Sequence, residues 1–490
     1  MTGGSGAGAG ADAPAPARPG PAPAAPAAAA TAAGAGPAVF HGPRSARILA
    51  LAVACGLCVA NLYYIQPILP SMAAALHRTP QSLTPAVSCT QLGYALGLFA
   101  LVPLGDALDR RRLLTVLLTA TAAVLALIPL ASGAWLFGLF FLLGLVTVSA
   151  MVIVPQAADM AHPEQRGQVV GTVMTGLILG TLLCRTLAGS LTQLLDWRAV
   201  YWLAAVFMVG TCLLVRAVLP GRPPAAPDTA DMADTAAATA APNTANAANA
   251  ANAANAANTP HTPAATSTGS TTAALRDYAR LLASLGPLVR GNPLLVRRSL
   301  LGALGFAAFN LLWTALPLRL TQSPYHFGAS AIGALGLVGA AGALGASLAG
   351  RLADRGRQTA VTLGAFALIA ISFAVSSGSS GTLLVLVTAI LLIDFAVQGA
   401  HITNQATVFG AAGAGERSRI TTVYMTAYFL GGAAGSAAAG AVWPHGGWPA
   451  VARTGVLTAA AALLLSGVLA LRESARTRTR TLPTSPKDMP

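Results

Sequence analysis

Asp394 lies in an otherwise apolar run, and Gln398, His401 and Gln405 follow it at steps of four, three and four residues. On a helix those steps put four side chains on one face, with Asn404 beside them. A carboxyl, an imidazole and two amides in one stripe could pass a proton or hold a polar solute. The plainer alternative is a network of interhelical hydrogen bonds, each worth about 0.6 kcal/mol. Arg185 is a second isolated charge in an apolar block. It reads as an electrostatic partner for a solute or for Asp394, or as a static contact with backbone carbonyls. Asn61, Tyr63, Tyr64 and Gln66 stand together, and Asn310 and Trp313 form a later polar-aromatic group. They suit a cavity that binds a partly polar solute through aromatic faces and a few hydrogen bonds. An interfacial aromatic belt would account for the tyrosines but poorly for Asn61 and Gln66.

The elements that must position these groups are apolar blocks of about 20 residues, the length of helix that crosses a ~30 Å hydrocarbon core. Of 490 residues, 55% are hydrophobic and only 9% charged, against roughly 25% charged in a soluble domain. Too few charges remain to cover soluble cores, which excludes a soluble enzyme. A transmembrane barrel is excluded as well, since it would show alternating segments of about 10 residues. An aspartate at the centre of a spanning helix costs about 2.5–3.5 kcal/mol, so its presence suggests a use. Blocks fall at 46–68, 84–106, 113–132, 135–157, 168–191, 198–218, 298–319, 328–350, 358–377, 381–405, 420–443 and 449–471. The expected fold is an all-α membrane protein of twelve transmembrane helices in two pseudo-symmetric six-helix bundles, 45–218 and 298–471.

Residues 1–44 are Ala, Pro and Gly without a signal-peptide pattern and are expected to form a disordered tail. Asn-Ala-Ala repeats between Asn246 and Asn258 make 219–274 a flexible linker. Residues 275–297 begin with leucines at helical spacing, interleaved with Arg276, Arg280 and Arg290, and fit an amphipathic helix on the inner membrane surface. Residues 472–490 form a basic tail. The net charge of +14 comes from 29 basic residues, 28 of them Arg, set in short connections between blocks. That pattern reads as membrane orientation rather than nucleic-acid binding. Nine arginines in loops on the amino-terminal side, against four opposite, place both termini in the cytoplasm. The five cysteines lie in or beside apolar blocks, with no disulfide framework or metal-ligand spacing. No phosphate-binding Gly-x-x-x-x-Gly-Lys loop appears, so nothing here hydrolyses nucleotide to drive transport.

The halves echo one another. Gly105-Asp106-Ala107-Leu108-Asp109-Arg110 follows the second span and Gly350-Arg351-Leu352-Ala353-Asp354-Arg355 the eighth, both reading Gly-x-x-x-Asp-Arg. Every third span is rich in glycine: Gly93 and Gly97, then Gly171, Gly176 and Gly180, then the Gly333–Gly345 series, then Gly431, Gly432, Gly435 and Gly440. Such faces allow close backbone approach and are expected to slide as one half rocks on the other. With these features the chain resembles the major facilitator superfamily, and more narrowly its drug- and sugar-efflux branch. Gly105, Asp109 and Arg110 match the signature loop of that family, with Arg112 where Gly is usual. Arg185 stands where the efflux branch carries Pro, and Phe140 where it carries Arg.

The resemblance implies a proton-coupled transporter of the inner or plasma membrane that exports a small drug-, sugar- or nucleoside-like molecule. It further implies a cavity lined by spans 1, 4, 7 and 10. Asp394, His401 and Arg185 would couple protons, and Asn61, Tyr63, Tyr64, Gln66, Asn310, Trp313, Gln398 and Gln405 would meet the solute. Gating would fall to Gly105, Asp106, Asp109, Arg110, Gly350, Asp354 and Arg355, with Asp109–Arg110 and Asp354–Arg355 as charge pairs holding the outward-open state. The expected partners are the bilayer, a small solute and protons, with one chain as the working unit and no cofactor, metal or nucleic acid. An uptake symporter or a non-transporting sensor remains an alternative built from the same parts.

Overall fold

The computed structural model describes residues 43–161, 165–219, 271–378, 382–412 and 416–480. The expected tail up to residue 42, the linker over 220–270 and the final ten residues lie outside the described residues. Among the described residues eight helices are long and apolar enough to cross a membrane, and the pair Ala46–Ala60 and Ile65–Ala75, bent by 43°, makes a ninth span. Three glycine-rich spans complete the twelve: the second, Thr84–Ala100 with Leu104–Ala107; the eighth, Ala329–Asp354; and the eleventh, Arg417–Val442.

Prolines explain two interruptions. Pro67 cannot donate to the Tyr63 carbonyl and Pro103 cannot donate to that of Phe99. The α-helical hydrogen bonding accordingly gives way to turns between Ala60 and Ile65, and again between Ala100 and Leu104. The fourth span breaks between Val146 and Ser149. The eighth tightens into a 3-10 stretch, Leu335–Ala340, between Ala329–Ala334 and Ala341–Asp354.

Glycine contacts repeat from one half to the other. In the first half Gly56 of span 1 meets Gly180 of span 5 so closely that a Cβ at Gly180 would stand 2.5 Å from the Gly56 Cα, with Gly176 on Ala52. In the second half Gly431 and Gly435 of span 11 lie against Ala303 and Ala307 of span 7 in the same relation. Likewise Gly93 packs on Phe141 of span 4, and Gly345 on Phe395 of span 10. Most of these glycines therefore lock spans together inside a half. Between the halves, where span 2 packs along span 11 and span 5 on span 8, glycine takes part at Gly189 against Ala329 and Gly333, Gly336 against Arg185, Gly339 against Leu182, and Gly440 against Thr84.

Two of those contacts, Gly189 with Gly333 and Gly440 with Thr84, lie toward the end of the bundle away from the Asp-Arg loops. At Gly167 and Gly171, near the loop end of span 5, nothing among the described residues stands within 4 Å of where a Cβ would point. The fifth and eighth spans touch at one end and part at the other.

Between the halves, Thr271–Gly291 is a helix, and Asn292 separates it from span 7 by capping Leu295 N at 3.0 Å. It ends earlier than the expected 297 because Pro293 opens a new helix. Its Tyr278 hydroxyl donates to the Ala100 carbonyl at 2.6 Å, and Leu285 is buried. An apolar groove lined by Phe99 of span 2, by Leu282 and Val289 of this helix, and by Val423 and Leu430 of span 11 lies beneath it. The last helix, Gly447–Arg480, continues past the expected boundary at 471.

Candidate functional site

A cavity of about 200 Å³ lies where the halves meet. Tyr63, Arg185, Asp394, Gln398 and His401 line it, together with aromatic rings from Tyr94, Phe306, Phe309, Tyr428 and Phe429. The stripe on span 10 thus brings three of its four expected members to one space. Gln405 continues the same face but is buried elsewhere, its Nε2 lying 3.5 Å from Met425 Sδ.

Arg185 and Asp394 are 2% and 3% exposed, and no ion pair joins them. Trp313 stands between them instead. Its indole Nε1 donates to Asp394 Oδ1 at 3.1 Å, while the Arg185 guanidinium carbon lies 4.0 Å from its ring centroid. Tyr63 and Phe309 flank the same guanidinium at 5.0 and 5.8 Å. Arg185 Nε donates to Gln66 Oε1 at 2.9 Å. Rings can stabilise a desolvated cation by about 2 kcal/mol each, but they do not neutralise it. The 3-10 stretch of span 8 makes room for both charges. A Cβ on Gly336 would stand 2.8 Å from Arg185 Cβ, and one on Gly339 would stand 2.9 Å from Asp394 Oδ2.

His401 shares a hydrogen bond with the Tyr424 hydroxyl at 3.2 Å, and its ring lies 4.3 Å from that of Tyr428. Tyr428 in turn stacks on Phe306 at 4.0 Å. One wall of the cavity is therefore a continuous aromatic surface.

Other expected site residues are placed elsewhere. Asn61 turns to Met208 Sδ at 3.3 Å, and Asn310 accepts from Gln91 Nε2 at 3.1 Å. Neither lines the cavity, nor do Tyr64 and Gln66, although Gln66 holds Arg185 in place. Gln91 was not among the expected residues. A lone glutamine in span 2 gives no sign that it bonds across to span 7. Arg298 was also missed: it is buried and donates to Thr362 Oγ1 and Asn404 Oδ1, both at 3.2 Å. In sequence the Arg297-Arg298 pair does not tell which side chain turns inward.

The loop expectations need correction. Asp109 caps the third span by accepting from Arg112 N at 2.8 Å, and it does not pair with Arg110. Arg110 donates through Nε to the Gly105 carbonyl at 3.2 Å and forms an ion pair with Asp159 at 2.7 Å. Span 4 therefore supplies an acid for Arg110 that the loop pattern did not announce. Gly350 and Arg355 end span 8 with Arg355 exposed, and the side chains of Asp106 and Asp354 lie outside the described residues. Among the described residues no group of His, Cys, Asp and Glu is arranged to hold a metal ion.

A family model for the Major Facilitator Superfamily matches residues 51–436. An Escherichia coli O157:H7 protein named "Uncharacterized transporter YgaY" is 36% identical over 434 residues, covering 87% of this chain and 96% of that one. A Streptomyces coelicolor protein named "Probable transporter SCO4007" is 31% identical over 403 residues, covering 82% of each. Among solved structures, the human organic anion transporter MFSD10 superposes with a TM-score of 0.55 at 18% identity, over 87% of this chain and all of that one. A bacterial homologue of the human lysosomal transporter Spinster, inward-facing and unoccupied, gives a TM-score of 0.55 at 13% identity, over 88% and 96%. At those identities the likeness speaks for the fold alone.

Proposed function

The chain belongs to the Major Facilitator Superfamily and is a multi-pass membrane transporter rather than an enzyme, and on that premise we propose that it exports a small organic solute in exchange for protons by alternating access. The observation that carries this reading is the cavity at the junction of the halves, which holds a buried carboxylate and a buried guanidinium joined only through an indole. Asp394 is the proton carrier. Protonation removes its charge, weakens its hold on Trp313 Nε1 and changes the field at Arg185. The halves then rock about the central contact. The arginine-rich loops face the cytoplasm of the inner or plasma membrane, in accord with the loop charge count, so the seam that parts near Gly167 and Gly171 opens inward.

Arg185 favours a second reading, in which solute and proton travel together. A negative group at Arg185 and a proton on Asp394 would bind better jointly than separately, because ionised Asp394 repels an anion across the indole.

One assay covers both. Purified protein in liposomes with a pH-sensitive dye inside is given a proton gradient and a panel of solutes. Solute and proton moving in opposite directions support exchange, and movement in the same direction supports co-transport. Asp394→Asn is expected to abolish the proton signal in either case. Full pH-driven transport in that variant would remove Asp394 from the proton path.

A further inference from the structure

Arg185 has more hydrogen-bonding capacity than its surroundings use. A guanidinium offers five N–H donors. Here Nε meets Gln66, while Nη2 is buried with no acceptor. Among the described residues no carboxylate lies within ion-pair distance, since Asp394 is directed to Trp313 Nε1. A buried, unpaired cation is strongly unfavourable without compensation. Three rings supply part of that compensation, and the side chain borders the cavity.

The remaining walls describe what completes it. Phe306, Phe309, Tyr94, Phe429 and Tyr428 present ring faces and edges, and Thr181, Gln398, His401 and Asp394 are the polar neighbours. A sugar would lose its water to walls that return few hydrogen bonds, which costs roughly 1–3 kcal/mol for each group left unpaired. A cation at Asp394 would sit beside Arg185 and be repelled. A flat apolar body with a negative end meets Arg185 and the rings favourably, and protonation of Asp394 removes the one repulsive wall.

We infer that the cavity binds an organic anion, a carboxylate or sulfonate on a ring-bearing body, with Arg185 as its anchor and the aromatic wall as its seat. The inference rests on the reading of this cavity as the transport site, in the form in which solute and proton travel together, and names the class of solute. A planar oxyanion accepts two parallel N–H bonds from a guanidinium, and among the described residues Arg185 has its Nε alone engaged by the protein.

The test uses the full-length protein in lipid nanodiscs and three ligands with one body: 2-naphthoate, 2-naphthamide and 2-naphthylmethylammonium. Calorimetry reads affinity and thermal unfolding reads the state of the protein. The carboxylate is expected to bind at least tenfold tighter than the amide. In Arg185→Gln the two are expected to bind alike, and ligand-free Arg185→Gln should melt no lower than the wild type. Should that variant fail to fold, Arg185→Lys keeps the charge without the fork and is expected to lower the carboxylate preference several-fold.

Equal binding of carboxylate and amide in the wild type overturns the inference. So does tightest binding of the ammonium, a preference that survives Arg185→Gln, or no binding by any of the three. The transport reading fails separately. Naphthoate that binds but never crosses liposomes counts against transport alone, whereas flux of the amide or ammonium without naphthoate binding counts against the anion alone.

Discussion

Trp313 gives the site two separable functions at the scale of a single residue. Its ring lies under Arg185 and its N–H holds Asp394. Trp313→Phe keeps an aromatic face and deletes the donor. A hydrogen bond to a charged group is worth about 1.5–3 kcal/mol, so proton-coupled flux is expected to fall roughly tenfold or more, while naphthoate affinity stays within a few-fold of wild type. Parallel losses in flux and affinity would show that the indole serves both charges as one unit. The sequence revealed Asp394, Gln398 and His401 as a group because one helix sets their spacing. It could not reveal the indole between Arg185 and Asp394, because that contact joins the fifth, seventh and tenth spans. Asn61, Asn310 and Gln405 illustrate the same limit. Helical phase orders the side chains around one axis, but it does not say which neighbour each face will meet.

The spans themselves were legible, since each must be about 20 apolar residues long to cross a bilayer. Pro67 and Pro103 signal their breaks as well, each removing a backbone donor. The partners of the glycine-rich spans were not legible. Glycine at every third or fourth position permits close approach without naming the helix that approaches, and most of these glycines face their own half. Gly180→Val and Gly435→Val would each drive a side chain into the backbone of the neighbouring span. Both are expected to destabilise by 1–3 kcal/mol or more, read as lower melting temperatures in detergent. Gly210→Val and Gly364→Val, where nothing stands within 4 Å, are expected to change little. Equal tolerance at all four positions would refute the close packing. At the loop, Asp109→Ala removes a helix cap and should cost about 1 kcal/mol. The partly exposed Arg110–Asp159 pair should contribute 0–1 kcal/mol in a double-mutant cycle.

For the whole molecule, the repeated Gly-x-x-x-Asp-Arg loop announces two related halves, and the packing of span 1 on span 5 and of span 7 on span 11 bears the same stamp. The seam between them is where the sequence is least informative, because its contacts join spans far apart in the chain, span 2 to span 11 and span 5 to span 8. Deleting residues 225–270 is expected to leave transport within a few-fold of wild type, measured in the liposome assay, because the helix Thr271–Gly291 keeps its own contacts with spans 2 and 11. Loss of transport on deletion would give that segment an active part. The matching glycine locks also bear on how such a chain can change over generations. A substitution at a lock damages the fold itself, whereas one on the cavity wall alters only what fits between two bodies that still assemble. Inherited variation can therefore accumulate around Arg185 and the aromatic wall, so a new cargo can be acquired without a new architecture.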